Sequence, residues 1–168
     1  MSRAGGAASL RLGLAVAAAL LAVDQATKWW ILEVVRLPDV GRVHVLPFLN
    51  LTMVWNRGVT FGLLQGEAPW HAYALAAIAS AVAVLLLLWL ARAENRLVSC
   101  GLGLVLGGAV GNVIDRLRFG AVVDFIDVHA FGWHWYVFNV ADSAIVTGVG
   151  LLCADALLRP RSGDNERR

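Results

Sequence analysis

The sequence predicts an all-α membrane protein with four transmembrane helices and a small extracytoplasmic β-sheet between the first and second helices. Hydrophobic residues make up 59% of the 168-residue chain and charged residues only 15%, whereas soluble domains average about 45–50% and 25%. Four segments are also long and apolar enough to cross a bilayer, which takes about 20 residues. The segment between the first two, 33–69, is too long for a passive turn.

The predicted spans lie at 11–32, 70–91, 97–114 and 137–158, within a single membrane domain that covers residues 1–168. The second and third spans carry no charged residue, whereas the first contains Asp24 and Lys28. A cleaved signal peptide is an alternative interpretation of the first span. However, the charged "DQATK" directly after its apolar run continues into "WWIL", which is more typical of a retained helix.

Positive charge predicts the orientation, because short cytoplasmic loops carry an excess of Lys and Arg. Arginines cluster before the first span, between the second and third, and after the fourth: Arg3, Arg11, Arg92, Arg96, Arg159, Arg161, Arg167 and Arg168. With four spans, these three clusters share one side of the membrane. We therefore expect both termini in the cytoplasm and two extracytoplasmic segments, 33–69 and 115–136.

The first extracytoplasmic segment contains a predicted strand. In "LNLTMVWN", at 49–56, Leu49, Leu51, Met53 and Trp55 alternate with other residues and share one face. "NRG" at 56–58 is a turn signal before another short run, "VTFGLL". We therefore expect a small sheet on the outer membrane surface.

Polar residues from four separate parts of the sequence converge at the outer ends of the spans. They are Asp24, Lys28, Asn112, Asp115, Arg116, Asp124, Asn139 and Asp142. Helical spacing places 108, 112 and 115–116 on one stripe of the third span. Gly103, Gly107 and Gly111 repeat in a pattern typical of close helix packing.

Buried charge in a membrane costs about 2.5–3.5 kcal/mol on insertion scales, so such residues indicate a functional site by default. Structural ion pairing competes with this interpretation for Asp24 with Lys28, and for Asp115 with Arg116 or a partner helix. Asp155, near the cytoplasmic end of the fourth span, is expected to be an interfacial anchor. Asp127 is expected to be a solvated or interfacial loop residue.

Asp124 and Asp142 differ from these acids because neither has a basic residue within a helical turn. They stand alone in the apolar contexts "VVDFI" and "FNVADS". Two carboxylates brought together share a proton, because both cannot ionise at low cost. That arrangement suits aspartyl proteolysis, in which one carboxylate activates water and the other, protonated, polarises the scissile carbonyl. A proton-coupled transporter or relay, and a non-catalytic assembly factor, remain alternatives from spacing alone.

Other classes of site find little support. The net charge of +2 is too small to indicate nucleic-acid binding. Cys100 and Cys153 lie in separate apolar runs, which indicates buried small side chains and neither a disulfide framework nor a thiolate metal site. The four histidines show no metal-ligand spacing, so no metal site is predicted.

Five blocks occur in order: "DQATK" 24–28, "NRGVTFG" 56–62, "GGAVGNVIDR" 107–116, "VVDFID" 122–127 and "FNVADS" 138–143. With these blocks, the sequence resembles the lipoprotein signal peptidase (signal peptidase II) family, which are bacterial inner-membrane aspartyl peptidases. The resemblance covers nearly the whole chain. Val59 and Thr60 depart from it, since the family usually shows small alanines there, and this puts substrate fit or loop packing in doubt.

The resemblance implies an endopeptidase of the bacterial cytoplasmic (inner) membrane that cuts diacylglyceryl-modified prolipoproteins just before the lipidated cysteine. It places the catalytic pair on Asp124 and Asp142, and the supporting residues on Asp24, Lys28, Asn56, Gly108, Asn112, Asp115, Arg116, Asn139 and Ala141. The family's sheet and loop correspond to roughly 43–64 and would clamp the substrate. Membrane lipids would surround the site, the inhibitor globomycin is expected to bind, and no metal or organic cofactor is expected. Since Asp124 falls in a predicted loop, we expect it to be mobile.

Overall fold

The computed structural model describes residues 3–58 and 70–158. Within them, four helices are long and apolar enough to cross a membrane. They are α1 (Arg3–Trp29), α3 (Trp70–Leu90), α4 (Arg96–Phe119) and α5 (Val140–Leu158), with a short helix α2 (Leu37–Val40) after the first. A π-helical turn, Trp30–Val34, extends α1. The predicted all-α class with four long apolar helices is thus confirmed.

The glycine-rich helix α4 lies at the centre of the bundle and packs against α1, α3 and α5. In its most apolar window 61% of residues are buried, against 17% in each of the other three helices. The predicted stripe of glycines faces α1: a Cβ added at Gly107 would meet the carbonyl oxygen of Ala17 at 2.6 Å. Close approach of the backbones therefore requires glycine here, as the repeated spacing indicates.

Two helix boundaries differ from the predicted spans. Helix α4 continues to Phe119, past the predicted end at 114, and stops where Gly120 adopts a left-handed conformation with φ of 69°. Asp115 and Arg116 are consequently helical residues. Helix α5 begins at Val140 instead of 137, because Asn139 caps its amino terminus.

A four-stranded antiparallel sheet covers one end of the bundle, which we call the sheet end. Its strands are β1 (Arg42–Leu46), β2 (Leu49–Asn56), β3 (Val122–Ala130) and β4 (Trp133–His134), in the order β1-β2-β3-β4. The strand predicted at 49–56 is confirmed as β2. Buried Ile31 and Leu37, which follow α1, pack with Val123 and Phe125 and so fasten the sheet to the bundle.

The prediction that 115–136 is a loop was wrong for residues 122–130. Strand β3 carries no alternation, because Val122, Val123, Asp124 and Phe125 are all buried on both of its faces. The sheet therefore draws strands from both long inter-helix segments and not only from 33–69. Asp124 is a strand residue, so the loop on which its expected mobility rested does not exist.

Some predictions lie outside the described residues. These are the run "VTFGLL", the departures Val59 and Thr60, and the arginines of the carboxyl-terminal tail.

Candidate active site

Asp124 and Asp142, the predicted catalytic pair, come from different elements and face one cavity. Asp124 lies in β3 and Asp142 in the first turn of α5. Both line a cavity of about 380 Å³ at the sheet end, together with Asn56 and the segment 135–138. The fold therefore brings the two carboxylates together although 17 residues separate them in sequence.

A capping box fixes Asp142. The side-chain oxygen of Asn139 accepts a hydrogen bond from the Asp142 backbone N–H at 2.8 Å. In return, Asp142 Oδ2 accepts from the Asn139 backbone N–H at 3.3 Å. This reciprocal pattern starts helix α5, and the helix dipole favours a carboxylate at that position. The sequence "NVAD" thus encodes both the helix start and the orientation of Asp142.

Asn112, on α4, holds the other oxygen of Asp142. Its Nδ2 donates to Asp142 Oδ1 at 2.9 Å. Its own Oδ1 accepts from Lys28 Nζ at 3.1 Å and from Asn139 Nδ2 at 3.2 Å. Since both donors face Oδ1, the amide group of Asn112 has one favourable orientation, with its NH₂ group toward Asp142.

Asp124 is buried, with 1% of its surface exposed. Asn139 Nδ2 donates to Asp124 Oδ1 at 2.7 Å, and Asn56 Nδ2 donates to Asp124 Oδ2 at 2.9 Å. Burial, and secondly the charge of Asp142, raise the pKa of Asp124 to about 7 from the usual 3.8. Asp124 therefore keeps a proton near neutral pH far more readily than an ordinary carboxyl group.

A buried ion network lies beneath the pair. Lys28 Nζ contacts Asp24 Oδ2 at 2.9 Å and Asp115 Oδ2 at 2.8 Å, so the predicted ion pairing is present and joins α1 to α4. The network also reaches the two elements that carry Asp124 and Asp142. Asp24 Oδ1 accepts from the Ala141 backbone N–H at 3.0 Å, and Asp115 Oδ2 accepts from the Val123 backbone N–H at 3.1 Å. It thereby positions the start of α5 and the strand that carries Asp124.

The remaining predicted residues also lie at this site. Arg116 donates to the carbonyl oxygen of Gly58 at 2.9 Å and to that of Asn112 at 3.3 Å. A Cβ at Gly108 would meet the carbonyl oxygen of Ala141 at 2.6 Å, so glycine at 108 lets α4 and α5 approach. All eleven residues implied by the resemblance thus converge in the described structure, either on the cavity or on the network behind it.

A second cavity, of about 270 Å³, also has Asp142 in its wall. Asn56, Asp142 and Ile145 line both cavities. Apolar residues of α3 form much of its remaining wall: Leu75, Ile78, Ala79 and Val82. Asp142 therefore lies in the wall of both cavities.

Sequence reasoning missed two polar residues near the site. Gln25 Nε2 lies 3.2 Å from both Asp24 Oδ2 and Asp115 Oδ1, and its place inside "DQATK" was the available signal. Asp127 was expected to be a solvated or interfacial loop residue, but it is 1% exposed and lies in β3. Four neighbouring polar side chains surround its carboxylate, and no sequence pattern shows that convergence.

Asp155 lies at the opposite end of the bundle. It is buried, and its Oδ1 accepts a hydrogen bond from Asn95 Nδ2 at 2.5 Å, which ties α5 to the residue that caps α4. Within residues 3–58 and 70–158, no three His, Cys, Asp or Glu side chains are grouped so that they could hold a metal ion.

Solved structures share this fold. One bacterial membrane enzyme matches with a TM-score of 0.77 and 32% identity over 93% of each chain. A second matches with a TM-score of 0.74 and 31% identity over 88% of this chain and 94% of that one. The fold thus defines a multi-pass membrane enzyme.

The sequence profile of the signal peptidase (SPase) II family matches residues 16–158. The chain belongs to this family of hydrolases. A lipoprotein signal peptidase of Methylobacterium sp. (strain 4-46) is 48% identical over 95% of this chain and 96% of that protein. Another, of Burkholderia mallei (strain SAVP1), is 43% identical over 94% and 93%.

Proposed function

We propose that this protein removes the signal peptide from diacylglyceryl-modified prolipoproteins, cutting just before the lipidated cysteine, with Asp124 and Asp142 as its catalytic residues. The observation that carries the proposal is the arrangement of the two carboxylates, which share a cavity and are both held by Asn139. The names of the relatives, lipoprotein signal peptidases, support the substrate class.

The two carboxylates take different roles in the proposed reaction. Asp142 is the ionised member, because Asn112 Nδ2 and the Asn139 backbone N–H both donate to it and stabilise its charge. Asp124 is the protonated member, consistent with its raised pKa. Asp142 takes a proton from water as the water oxygen attacks the scissile carbonyl carbon, and Asp124 gives its proton to the carbonyl oxygen. The resulting diol collapses when Asp142 passes its proton to the leaving nitrogen and Asp124 recovers its own from the diol.

The two recesses beside Asp142 suit the two parts of such a substrate. The 380 Å³ cavity, bounded by β3 and the 135–138 segment, would hold the extended peptide around the scissile bond. The 270 Å³ cavity, walled by apolar residues of α3, would take the first part of the diacylglyceryl group, whose acyl chains continue among the membrane lipids. A lipid anchor in that position supplies binding energy and fixes the register of the cut.

The proposed location is the bacterial inner membrane, with the site on the extracytoplasmic side and both termini in the cytoplasm. Arg92, in the short connection between α3 and α4, and Arg96, the first residue of α4, lie at the end of the bundle opposite the sheet, as the distribution of positive charge in membrane proteins favours. Single cysteines introduced at Arg92 and at Asp39 should be labelled from opposite sides of sealed vesicles. Labelling of both from one side would refute this orientation.

The central experiment follows processing of purified diacylated prolipoprotein in detergent by gel shift. Wild type should cut it, whereas Asp124→Asn and Asp142→Asn should be folded and inactive, with turnover reduced at least about 10³-fold because each removes an acid–base group. Asp39→Asn is the matched control, since Asp39 is exposed and pairs only with Arg36 at 3.2 Å among the contacts described. It should retain wild-type turnover.

Two further arms test the substrate class. Globomycin should inhibit the wild-type reaction, and precursor without the diacylglyceryl group should be cut poorly. If the wild-type protein leaves the diacylated precursor uncut, the proposed activity is refuted and the proton-coupled relay is favoured. That alternative is disfavoured because the buried ionisable residues of the bundle gather at the sheet end, with Asp155 the one described exception.

A further inference from the structure

The buried carboxylate of Asp127, on β3, contacts side chains from all three of the other strands of the sheet. Its Oδ2 accepts from Thr52 Oγ1 at 2.8 Å and from Asn50 Nδ2 at 3.2 Å, both on β2. Arg42 of β1 approaches the same oxygen at 3.7 Å. On the other side, His134 Nδ1 of β4 donates to Asp127 Oδ1 at 2.7 Å. One oxygen of Asp127 thus contacts β1 and β2, and the other contacts β4.

Asp127 remains a carboxylate in this setting. Burial acts to raise the pKa of Asp127, but the hydrogen bonds from His134, Thr52 and Asn50 outweigh it, so that pKa lies below its usual value. Because Asp127 is ionised, His134 must donate from Nδ1, and the bond between them is charge-assisted.

The bond to His134 matters because β4 is short. This strand has two residues, Trp133 and His134, which pair with Ala130 and His129 of β3. Few backbone hydrogen bonds therefore hold it. The His134 ring also stacks on that of His129, with centroids 4.9 Å apart and planes at 28°. Side-chain contacts to His134 accordingly add to the attachment of β4.

Strand β4 leads directly into the wall of the catalytic cavity. The four residues after it, Trp135 to Phe138, all line the 380 Å³ cavity that contains Asp124 and Asp142. The far end of this wall is anchored independently, because the Phe138 and Ile126 backbones exchange hydrogen bonds at 2.8 and 3.1 Å. The near end depends on Trp135, whose N–H donates to the Val128 carbonyl at 2.8 Å, and on the His134–Asp127 pair.

We propose that the Asp127–His134 pair is a latch that holds the 135–138 wall against β3 and thereby sets substrate affinity. Asp127 and His134 are positioning residues and touch no reacting atom. The proposal rests on the proposed function, because it assumes that substrate occupies the cavity of Asp124 and Asp142. Loss of the latch loosens the wall and raises KM. It leaves kcat largely unchanged, because Asn56, Asn112 and Asn139 hold the two catalytic carboxylates independently.

The test measures kcat and KM for diacylated prolipoprotein with three variants. His134→Ala removes the donor from a half-exposed position, so the variant is expected to fold. Its KM should rise about tenfold, the scale of one charge-assisted hydrogen bond, with kcat within about twofold of wild type. His134→Gln, whose amide can donate to Asp127, should recover most of the affinity. Thr52→Val is the matched control, since it removes a hydrogen bond to Asp127 on the side away from the wall, and its KM should match wild type.

The outcomes separate this inference from the catalytic assignment. A wild-type KM for His134→Ala would overturn the latch, and so would an equal rise in KM for His134→Ala and Thr52→Val, because general loosening of the sheet would explain it. A fall in kcat with unchanged KM would also overturn it. If Asp124→Asn and Asp142→Asn abolish turnover while His134→Ala behaves as wild type, the latch fails and the proposed function stands. If the two aspartate variants remain active, the proposed function fails.

Discussion

The raised pKa of Asp124 predicts that this carboxyl group destabilises the fold at neutral pH. In the unfolded chain the group titrates near pH 3.8, but in the fold it titrates near pH 7. Between these values the unfolded state has lost a proton that the folded state still holds, so the free energy of unfolding falls as pH rises. At about 1.36 kcal/mol per pH unit, the loss from pH 3.8 to about pH 7 is about 4 kcal/mol.

Asp124→Asn removes this contribution, because an amide does not titrate. Its single carbonyl oxygen accepts from only one of Asn56 and Asn139, which adds a cost of about 1–3 kcal/mol that is independent of pH. The informative quantity is therefore the slope of the unfolding free energy against pH. The free energy of unfolding of Asp124→Asn, relative to that of wild type, should rise by about 4 kcal/mol between pH 4 and pH 7. Above pH 7 the difference between the two free energies should stay constant.

Unfolding in mixed detergent micelles, followed at half-unit pH steps from 4 to 9, measures both slopes. The exposed control Asp39→Asn should follow wild type. Asp142→Asn removes the second cause of the raised pKa, so the midpoint for Asp124 should move below pH 7 but stay above 3.8, because burial is the larger cause. Parallel curves for wild type and Asp124→Asn would refute the reasoning. Turnover of the wild type should fall above about pH 7, as Asp124 loses its proton.

Three further substitutions test the surrounding structure. Lys28→Met leaves two buried carboxylates without their cation and should cost about 3–5 kcal/mol of unfolding free energy, measured in the same micelles. Gly108→Ala forces a Cβ against the carbonyl oxygen of Ala141 and should lower both stability and turnover, whereas Gly150→Ala, which meets nothing within 4 Å on α5, should be neutral or slightly stabilising. Arg116→Lys replaces a forked donor by a single nitrogen and should lower kcat/KM about tenfold, with thermal stability reported alongside. Wild-type values for Lys28→Met, Gly108→Ala or Arg116→Lys would contradict the role given to that residue.

Much of the fold follows from local sequence patterns. The spanning helices come from uninterrupted apolar runs, and β2 comes from alternation over 49–56. Strand β3 was not predicted, because both its faces are buried and its sequence therefore carries no alternation. One face lies against α4 and the end of α1. Alternation of apolar and polar residues marks a strand that has one exposed face. A strand with both faces buried shows no such alternation.

The site divides in the same way. The helix direction and spacing of the polar residues place Asp24, Lys28, Asn112 and Asp142 at one end of the bundle. The hydrogen-bond partners of the site residues cannot be predicted from helix direction and spacing. A hydrogen bond such as that from Asn56 to Asp124 depends on the register of β2 against β3. Asp127 is the clearest example: its two partners on β2, Thr52 and Asn50, lie 75 and 77 residues away in sequence and meet it only through the sheet.

The ion network acts differently on the two carboxylates of the proposed catalytic pair. Lys28 and Asn139 both donate to Asn112 Oδ1, so the Asn112 amide must turn its NH₂ group toward Asp142. Asp142 thus gains a donor that favours its ionised form, and that donor is fixed by a cation one helix away. For Asp124, burial is the largest influence and raises its pKa, while the more distant charge of Lys28 acts weakly in the opposite direction. In the proposed reaction, the buried charges of α1 and α4 thereby favour Asp142 as the ionised member of the pair.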